Sequence, residues 1–187
     1  MSDSKYSLEL QEQVKKGQRF KYLCFWGHTP KQKSLVDKSC FSQWFSAPFT
    51  IDGIMYPTAE HYMMAQKAKL FADDAIFAQI LQVRHPNEAK QLGRKVKNYN
   101  EQVWQEQRFD IVIQANLAKF SQHPELAKFL LATKERVLVE ASPVDRIWGI
   151  GLAADDDKAE KPLQWKGLNL LGFALMQVRT QLRESSI

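Results

Sequence analysis

The sequence predicts a mainly helical α+β fold: a single domain with a helical core and a small β-sheet or hairpin near its N-terminal half. Helix-start signals recur between residues 58 and 131, and an apolar stripe runs through 169–184. The length of 187 residues, with 44% hydrophobic and 25% charged residues, is ordinary for one compact domain. We expect residues 1–18 to form an N-terminal extension and residues 19–187 to form the domain.

The β-structure is predicted from two segments before the helices and one after most of them. Residues 19–26 are rich in aromatic and β-favouring side chains. Residues 49–56 are typical of a hairpin, because Asp52-Gly53 supplies the positive φ angles of a tight turn. The short apolar segment at 137–140 is a further strand candidate.

The helices are predicted from their start signals. Thr58 is a favourable N-cap, and Pro57 before it cannot extend the helix backwards. Pro86 and Pro124 each stand at a first helical position with an acidic residue following, so the histidines before them are helix-start residues rather than ligands. The predicted helices cover 58–71, 73–83, 86–94, 100–120, 124–131 and 169–184.

Composition excludes several classes of protein. The net charge of +5 favours anionic ligands such as phosphates or nucleotides, but the basic residues are too dispersed for a dedicated DNA-binding protein. Two distant cysteines and four histidines show no zinc-ligand spacing, and neither a Walker loop nor a GxGxxG turn is present. We therefore expect no metal and no cofactor. No apolar stretch is long enough for a membrane span, and residues 1–18 lack a signal-peptide core, so the expected location is the cytoplasm without a membrane partner.

The first helix after the hairpin carries an acid and an amine on one face. Glu60 lies in its first turn, and Lys67 follows seven residues later, which places both on one stripe. The rise between them is roughly 10 Å, about the length of a nucleoside. Taken alone, a Glu at this position complements the helix dipole and a Lys two turns on is usually solvated. A ligand lying between the two side chains is the alternative hypothesis.

Two tryptophans and two polar groups are further binding candidates. Trp104 and Arg108 lie on one face of a helix, although a core Trp covered by an Arg is the common arrangement for such a pair. Trp148 stands in a glycine-bordered loop, where a large aromatic residue is suited to stack on a planar ligand. Asn169, at the start of the last helix, offers free backbone N–H groups to a phosphate, and Arg94 offers a charged fork.

Several separated motifs occur in one order along the chain. Residues 53–67 read G-x-x-Y-P-T-A-E-H-Y-x-x-A-Q-K, residues 138–142 read L-V-E-A-S, residues 148–151 read W-G-I-G, and residues 167–172 read G-x-N-x-L-G. This pattern resembles the NADAR (YbiA-like) family over about residues 25–182, nearly the whole chain. The resemblance implies a single YbiA-like domain whose pocket is lined by Glu60, Trp104, Asp145 and Trp148. Together with the residues considered above, the predicted site has these members: Glu60, Lys67 and Asp145 as catalytic candidates, and Phe25, Trp26, His61, Tyr62, Arg94, Trp104, Arg108, Trp148, Gly149, Gly151 and Asn169 as substrate-binding candidates.

The resemblance also implies cleavage of the bond between ribose C1′ and a nitrogen. Family members are similar to hydrolases of ribosylaminopyrimidine 5-phosphates, the early intermediates of riboflavin synthesis, and others remove ADP-ribose from guanine in nucleic acid. Such a bond breaks through an oxocarbenium-like state, which calls for a carboxylate near C1′. Glu60 is the candidate, as base or acid, and Lys67 allows a second route through a Schiff base.

Three hypotheses stay open: an N-glycosidase for phosphoribosylated pyrimidine amines, an ADP-ribosyl hydrolase acting on nucleobases, and a non-catalytic module that binds NAD-derived nucleotides. The expected partner is a phosphoribosyl or ADP-ribosyl small molecule, with ADP-ribosylated nucleic acid as the alternative. The sequence does not indicate an oligomeric state.

Overall fold

A computed structural model of the chain describes residues 3–32 and 35–185. The first two residues of the expected extension, and residues 33–34 and 186–187 of the expected domain, lie outside the described residues. The described helices are α1 Lys5–Lys15, α2 Ala59–Leu70, α3 Asp74–Ile80, α4 Pro86–Gly93, α5 Glu101–Gln122, α6 Pro124–Ala132 and α7 Leu170–Glu184, with short 3₁₀ helices at Lys38–Phe41 and Pro162–Gln164. The described strands are β1 Tyr22–Phe25, β2 Phe49–Ile51, β3 Ile54–Tyr56 and β4 Val137–Glu140. The predicted mainly helical α+β fold is confirmed.

The strands form two separate two-stranded sheets within the described part of the chain. The hairpin β2–β3 is antiparallel, and Asp52 and Gly53 both have positive φ at its turn, as the dipeptide predicts. The other sheet pairs β1 with β4 in parallel, with Tyr22 opposite Val137 and Phe25 opposite Glu140. This pairing was not predicted, because it joins segments more than a hundred residues apart and no local pattern encodes it. Both strands therefore end at the same edge of this sheet.

Helix α2 is the centre of the helical core, in contact with α3, α4 and α5. Its start is fixed as predicted, since Thr58 Oγ1 accepts a hydrogen bond from the His61 backbone N–H. Polar and apolar residues of α2 are buried on all sides, which is typical of a helix enclosed by neighbours rather than one at the surface. At Gly93, any Cβ would lie 2.1 Å from Met64 Sδ, so glycine allows α4 to approach α2 closely.

Helix α3 ends earlier than predicted, at Ile80 instead of residue 83. The residue before a proline is driven out of the helical region, and His85 before Pro86 has an extended ψ of 133°. Residues 81–85 therefore connect α3 to α4, and α3 cannot extend up to the proline. The other predicted helices begin and end within two residues of their observed limits.

Helix α1 packs on the body of the protein. The Tyr6 ring stacks on Phe109 at 4.6 Å and on Phe173 at 5.8 Å between ring centroids. Ser7 Oγ donates a hydrogen bond of 2.6 Å to the Leu168 carbonyl. The described part of the segment 1–18 is therefore a docked helix. No helix among the described residues is long and apolar enough to cross a membrane.

Candidate active site

A cavity of about 630 Å³ opens between α2, α4, the start of α5 and the loop that follows β4. This volume is in the range of small-molecule sites. Half of the predicted site residues lie in its wall: Trp26, Glu60, Lys67, Arg94, Trp104, Asp145 and Trp148. The edge of the β1–β4 sheet also reaches the cavity, because Trp26 follows β1 and Glu140 ends β4.

Glu60 is held rigidly at the cavity floor. Its backbone N–H donates to the Gln43 carbonyl at 3.0 Å, and the residue is only 4% exposed. Burial raises the pKa of Glu60 to about 7, and the nearby Asp145 carboxylate acts in the same direction. Lys90, a hydrogen bond with the Trp44 side chain and Arg94 act against this rise and favour the charged form. Glu60 therefore changes its charge near neutral pH, as an acid or base in catalysis requires.

Lys67 lies two turns along the same helix and also lines the cavity. Its Nζ is 4.3 Å from the ring centre of Tyr99 and 5.6 Å from that of Trp104. Burial lowers the pKa of Lys67, and Arg94 adds to the lowering, while Glu101 opposes it. The predicted Glu60–Lys67 stripe thus faces one cavity.

The loop after β4 is fixed by Asp145. Asp145 Oδ1 accepts hydrogen bonds from the backbone N–H groups of Ile147 and Trp148, both at 2.8 Å. These bonds hold the half-buried Trp148 side chain in the cavity wall. The carboxylate of Asp145 is also close enough to raise the pKa of both Glu60 and Glu140.

Three predicted binding residues lie in the core instead of the cavity wall. Phe25 is fully buried and packs edge-on against Phe41 at 5.3 Å. His61 Nδ1 is 2.8 Å from Thr58 Oγ1, so the imidazole is part of the N-terminal cap of α2. Tyr62 is buried against Tyr56 and donates its hydroxyl to Gln114 Oε1 at 2.9 Å. Each of these side chains has a structural partner inside the protein.

Arg108 does not join Trp104 in the cavity. The guanidinium is buried in an ion pair with Asp3, and Glu101 lies 3.8 Å from it. Trp104 lines the cavity, whereas Arg108, one turn further along α5, pairs with Asp3, which precedes α1. The prediction that the Trp104 indole and the Arg108 guanidinium face one ligand was therefore wrong, because only Trp104 lines the cavity.

The start of α7 does not offer the predicted phosphate site. The N–H groups of Leu170 and Leu171 donate to the Ile147 and Trp148 carbonyls, at 3.2 and 3.1 Å. Asn169 is fully buried and binds β4: its Nδ2 donates to the Leu138 carbonyl, and its Oδ1 accepts from the Glu140 N–H, each at 2.9 Å. The helix start therefore holds the loop and the strand, and its first two N–H groups are not free for a ligand.

Gly149 and Gly151 also have structural positions. The Gly149 carbonyl accepts a hydrogen bond from the Asn169 N–H at 3.1 Å. Gly151 has a φ of 67°, and its N–H donates to the Asp145 carbonyl at 3.0 Å. Both glycines shape the loop that carries Trp148 and lie outside the cavity wall.

The sequence reasoning missed several cavity residues. Three of them are neighbours: the centre of the Trp44 ring is 5.7 Å from the centre of the His28 ring and 5.7 Å from Lys90 Nζ. Glu140 lines the wall from the end of β4. Glu140 stands in the motif L-V-E-A-S, which by itself predicts no role for its side chain. Trp44 and Lys90 carried no local signal, since an isolated aromatic or basic residue is as frequent outside a site as within one.

Helix α5 supports the cavity floor from beneath. The fully buried Lys119 donates from Nζ to the Ser42 carbonyl at 3.0 Å, and burial lowers the pKa of this lysine to about 8. Asn116 Nδ2 donates to Gln43 Oε1 at 2.7 Å. Because the Gln43 carbonyl binds the Glu60 N–H, α5 positions Glu60 through this loop.

The described residues contain no group of three or more His, Cys, Asp or Glu side chains arranged to hold a metal ion. The polar groups of the cavity are instead carboxylates facing lysine and arginine, with tryptophan rings around them. This set of residues can bind a planar, negatively charged ligand and exchange protons with it.

Comparison with known proteins gives consistent matches over this fold. The model of the NADAR domain matches residues 24–183. An N-glycosidase of Acanthamoeba polyphaga mimivirus is 43% identical over 166 residues, which cover 86% of this chain and 96% of that protein. N-glycosidase YbiA of Escherichia coli is 36% identical over 146 residues, 78% of this chain and 82% of that protein. An NMR structure of E. coli YbiA superposes with a TM-score of 0.72 and 31% identity, covering 90% of this chain and 89% of that one.

Proposed function

This chain belongs to the NADAR domain family, and from that premise we propose that its substrate is a ribosylaminopyrimidine 5-phosphate, an early intermediate of riboflavin synthesis. The protein is an enzyme, a hydrolase of N-glycosyl bonds, as its relatives named N-glycosidase are. The proposed reaction replaces the bond between ribose C1′ and the amine nitrogen of the pyrimidine with a bond to water.

The observation that carries the proposal is the buried Glu60 carboxyl in a cavity walled by tryptophans and basic side chains. The phosphate of the substrate would bind Lys90 and the exposed Arg94, which the close approach of α4 brings over α2. The pyrimidine ring would stack on Trp148 or Trp44. Glu60 would then lie near C1′, where positive charge develops as the bond breaks.

Two routes remain for the chemical step. In the first, the Glu60 carboxylate takes a proton from water as the water oxygen attacks C1′. In the second, the ribosylamine opens to an imine, and the neutral Lys67 amine attacks C1′ to displace the pyrimidine amine. Water then hydrolyses the new imine and restores Lys67. The lowered pKa of Lys67 favours the neutral amine that this route needs.

A second candidate substrate is ADP-ribosylated guanine in nucleic acid. The rim of the cavity favours it, because Trp26 is 56% exposed and Val144 is 86% exposed. Exposed apolar side chains at the mouth would contact a leaving group that extends beyond the cavity.

The test uses the full chain with each substrate in turn. We expect release of ribose 5-phosphate from the ribosylaminouracil 5-phosphate, measured by chromatography of the products. Release of ADP-ribose from ADP-ribosylated guanine DNA, with no turnover of the ribosylaminouracil, would replace the first substrate by the second. Absence of release from both would contradict both substrates.

A further inference from the structure

Two cavity carboxyls take no part in the routes above: Asp145, which holds its loop through two backbone N–H groups, and Glu140. It ends β4 with its backbone held on three sides: its N–H donates to Asn169 Oδ1 at 2.9 Å, and its carbonyl accepts from the Ile150 N–H at 3.0 Å. The next N–H, of Ala141, donates to the Phe25 carbonyl at 2.9 Å. The side chain therefore projects from a rigid point on the cavity wall.

The carboxyl group of Glu140 has an unusual environment. Its Oε2 is buried and has no hydrogen-bond partner among the described residues. Burial raises the pKa of Glu140 to about 8, and the negative charge of Asp145 adds to the rise. A buried oxygen without a donor destabilises the charged form, so this carboxyl keeps its proton at neutral pH.

The three cavity carboxyls differ in what surrounds them. Asp145 Oδ1 accepts two backbone N–H bonds. Glu60 faces Lys90 and Arg94 and bonds to Trp44, and these contacts favour its charged form. Glu140 has no such contact with the described residues, and both its burial and the charge of Asp145 favour the neutral acid. A carboxyl whose neighbours stabilise the charged form suits a base, and one without such neighbours suits an acid.

We propose that Glu140 is a further catalytic residue, the acid that donates a proton to the nitrogen leaving from ribose C1′. The C1′–N bond breaks with its electron pair moving to nitrogen, which takes the Glu140 proton and departs as a neutral amine. Water adds to C1′ and gives its proton to the Glu60 carboxylate. The cycle ends with Glu140 charged and Glu60 neutral, and exchange with solvent restores both. In the Schiff-base route Glu140 donates the same proton.

This proposal rests on N-glycosyl hydrolysis but on neither candidate substrate. A departing amine needs a proton whether the base is a pyrimidine or a guanine, so the assignment of Glu140 is the same for both. The other titratable groups in the wall of the cavity are His28, Glu60, Lys67, Lys90, Arg94 and Asp145. The test must therefore separate Glu140 from these groups.

The first test compares pH profiles of kcat/KM for the wild type, Glu140→Gln and the control Glu106→Gln, which removes an exposed carboxyl on α5. We expect the wild type to lose activity at high pH as Glu140 ionises. Glu140→Gln should lower kcat/KM by about 100-fold or more, and the remaining activity should no longer fall at high pH. The low-pH limb should remain, and Glu106→Gln should match the wild type. An unchanged rate or an unchanged high-pH limb in Glu140→Gln would overturn the proposal.

The second test needs no substrate. In wild-type protein labelled with ¹³C at the glutamate side-chain carboxyls, two carboxyl signals should titrate above about pH 6, those of Glu60 and Glu140. In the Glu140→Gln variant, one of these two signals should be missing. If Glu140→Gln leaves the signals in that range unchanged, Glu140 is charged at neutral pH and the proposal fails. Failure of the proposed substrates would appear separately, as a wild type that releases neither sugar.

Discussion

Glu60 combines three properties that catalysis at C1′ requires: burial, a rigid backbone and a pKa near 7. We expect Glu60→Gln to fold and to lose about 100-fold or more of kcat, because the amide has nearly the same shape but cannot carry charge or exchange a proton. Steady-state kinetics and circular dichroism check this expectation. A folded Glu60→Gln protein with the wild-type rate would remove Glu60 from the reaction.

Lys67 decides between the two chemical routes. If its amine attacks C1′, borohydride added during turnover should reduce the imine and attach the sugar to the peptide that contains Lys67, as peptide mass spectrometry would show. Lys67→Arg should then be inactive, because arginine keeps the positive charge but is not deprotonated in proteins. The control is Lys69→Arg, which replaces an exposed lysine on the same helix and should keep the wild-type rate. Full activity in Lys67→Arg with no adduct in the wild type would leave only water activated by Glu60.

At the scale of elements, the end of β4 and the start of α7 are joined by one side chain. Asn169 bonds β4 at both Leu138 and Glu140, and its backbone N–H binds the loop at Gly149. It therefore holds together the strand that carries Glu140 and the loop that carries Asp145 and Trp148. These bonds give Asn169 a structural role in place of the predicted contact with a phosphate.

Asn169→Ala should lower the free energy of unfolding by about 1 to 3 kcal/mol, because it leaves the buried Leu138 carbonyl and Glu140 N–H without partners. Denaturant unfolding would measure the change. Asn98→Ala is a matched control, since Asn98 is exposed and has a similar positive φ of 54° against 57° at Asn169. Equal losses in both variants would attribute the effect to the backbone conformation and not to the side-chain bonds.

At the level of the whole molecule, the buried carboxyls of Glu60 and Glu140 make the free energy of unfolding depend on pH. Glu60 and Glu140 have pKa values of about 7 and about 8 in the folded chain. In an unfolded chain, both pKa values are about 4.3. Between these values the folded state binds more protons than the unfolded state. The free energy of unfolding therefore falls as the pH rises through this window.

We expect the melting temperature of the wild type to fall between about pH 5 and about pH 8 more steeply than that of the double variant Glu60→Gln, Glu140→Gln. His61, whose pKa is lowered by burial, acts in the opposite direction but is present in both proteins. Its contribution therefore cancels in the comparison, which differential scanning calorimetry can make. Parallel curves for the two proteins would contradict the raised pKa values.

Local chemistry in the sequence was enough to predict most elements of this fold. The N-cap at Thr58, the prolines at 86 and 124 and the Asp52-Gly53 turn each act within a few residues of chain, so their effects appear in the sequence itself. The Glu60–Lys67 stripe is of the same kind, because helical geometry alone places the two residues on one face. These signals located the helix that forms the cavity floor.

Tertiary structure alone decided which side chains reach the cavity. The parallel pairing of β1 with β4 brings Glu140 beside Trp26 from a distant part of the chain, and a local pattern cannot encode that meeting. Arg108 shares a helical face with Trp104 but pairs with Asp3, because the docking of α1 determines its partner. The helices, the hairpin and the acid–amine stripe could be predicted from the sequence, because short-range backbone physics specifies them. The burial that tunes Glu60 and Glu140 depends on long-range packing and exists only in the folded chain.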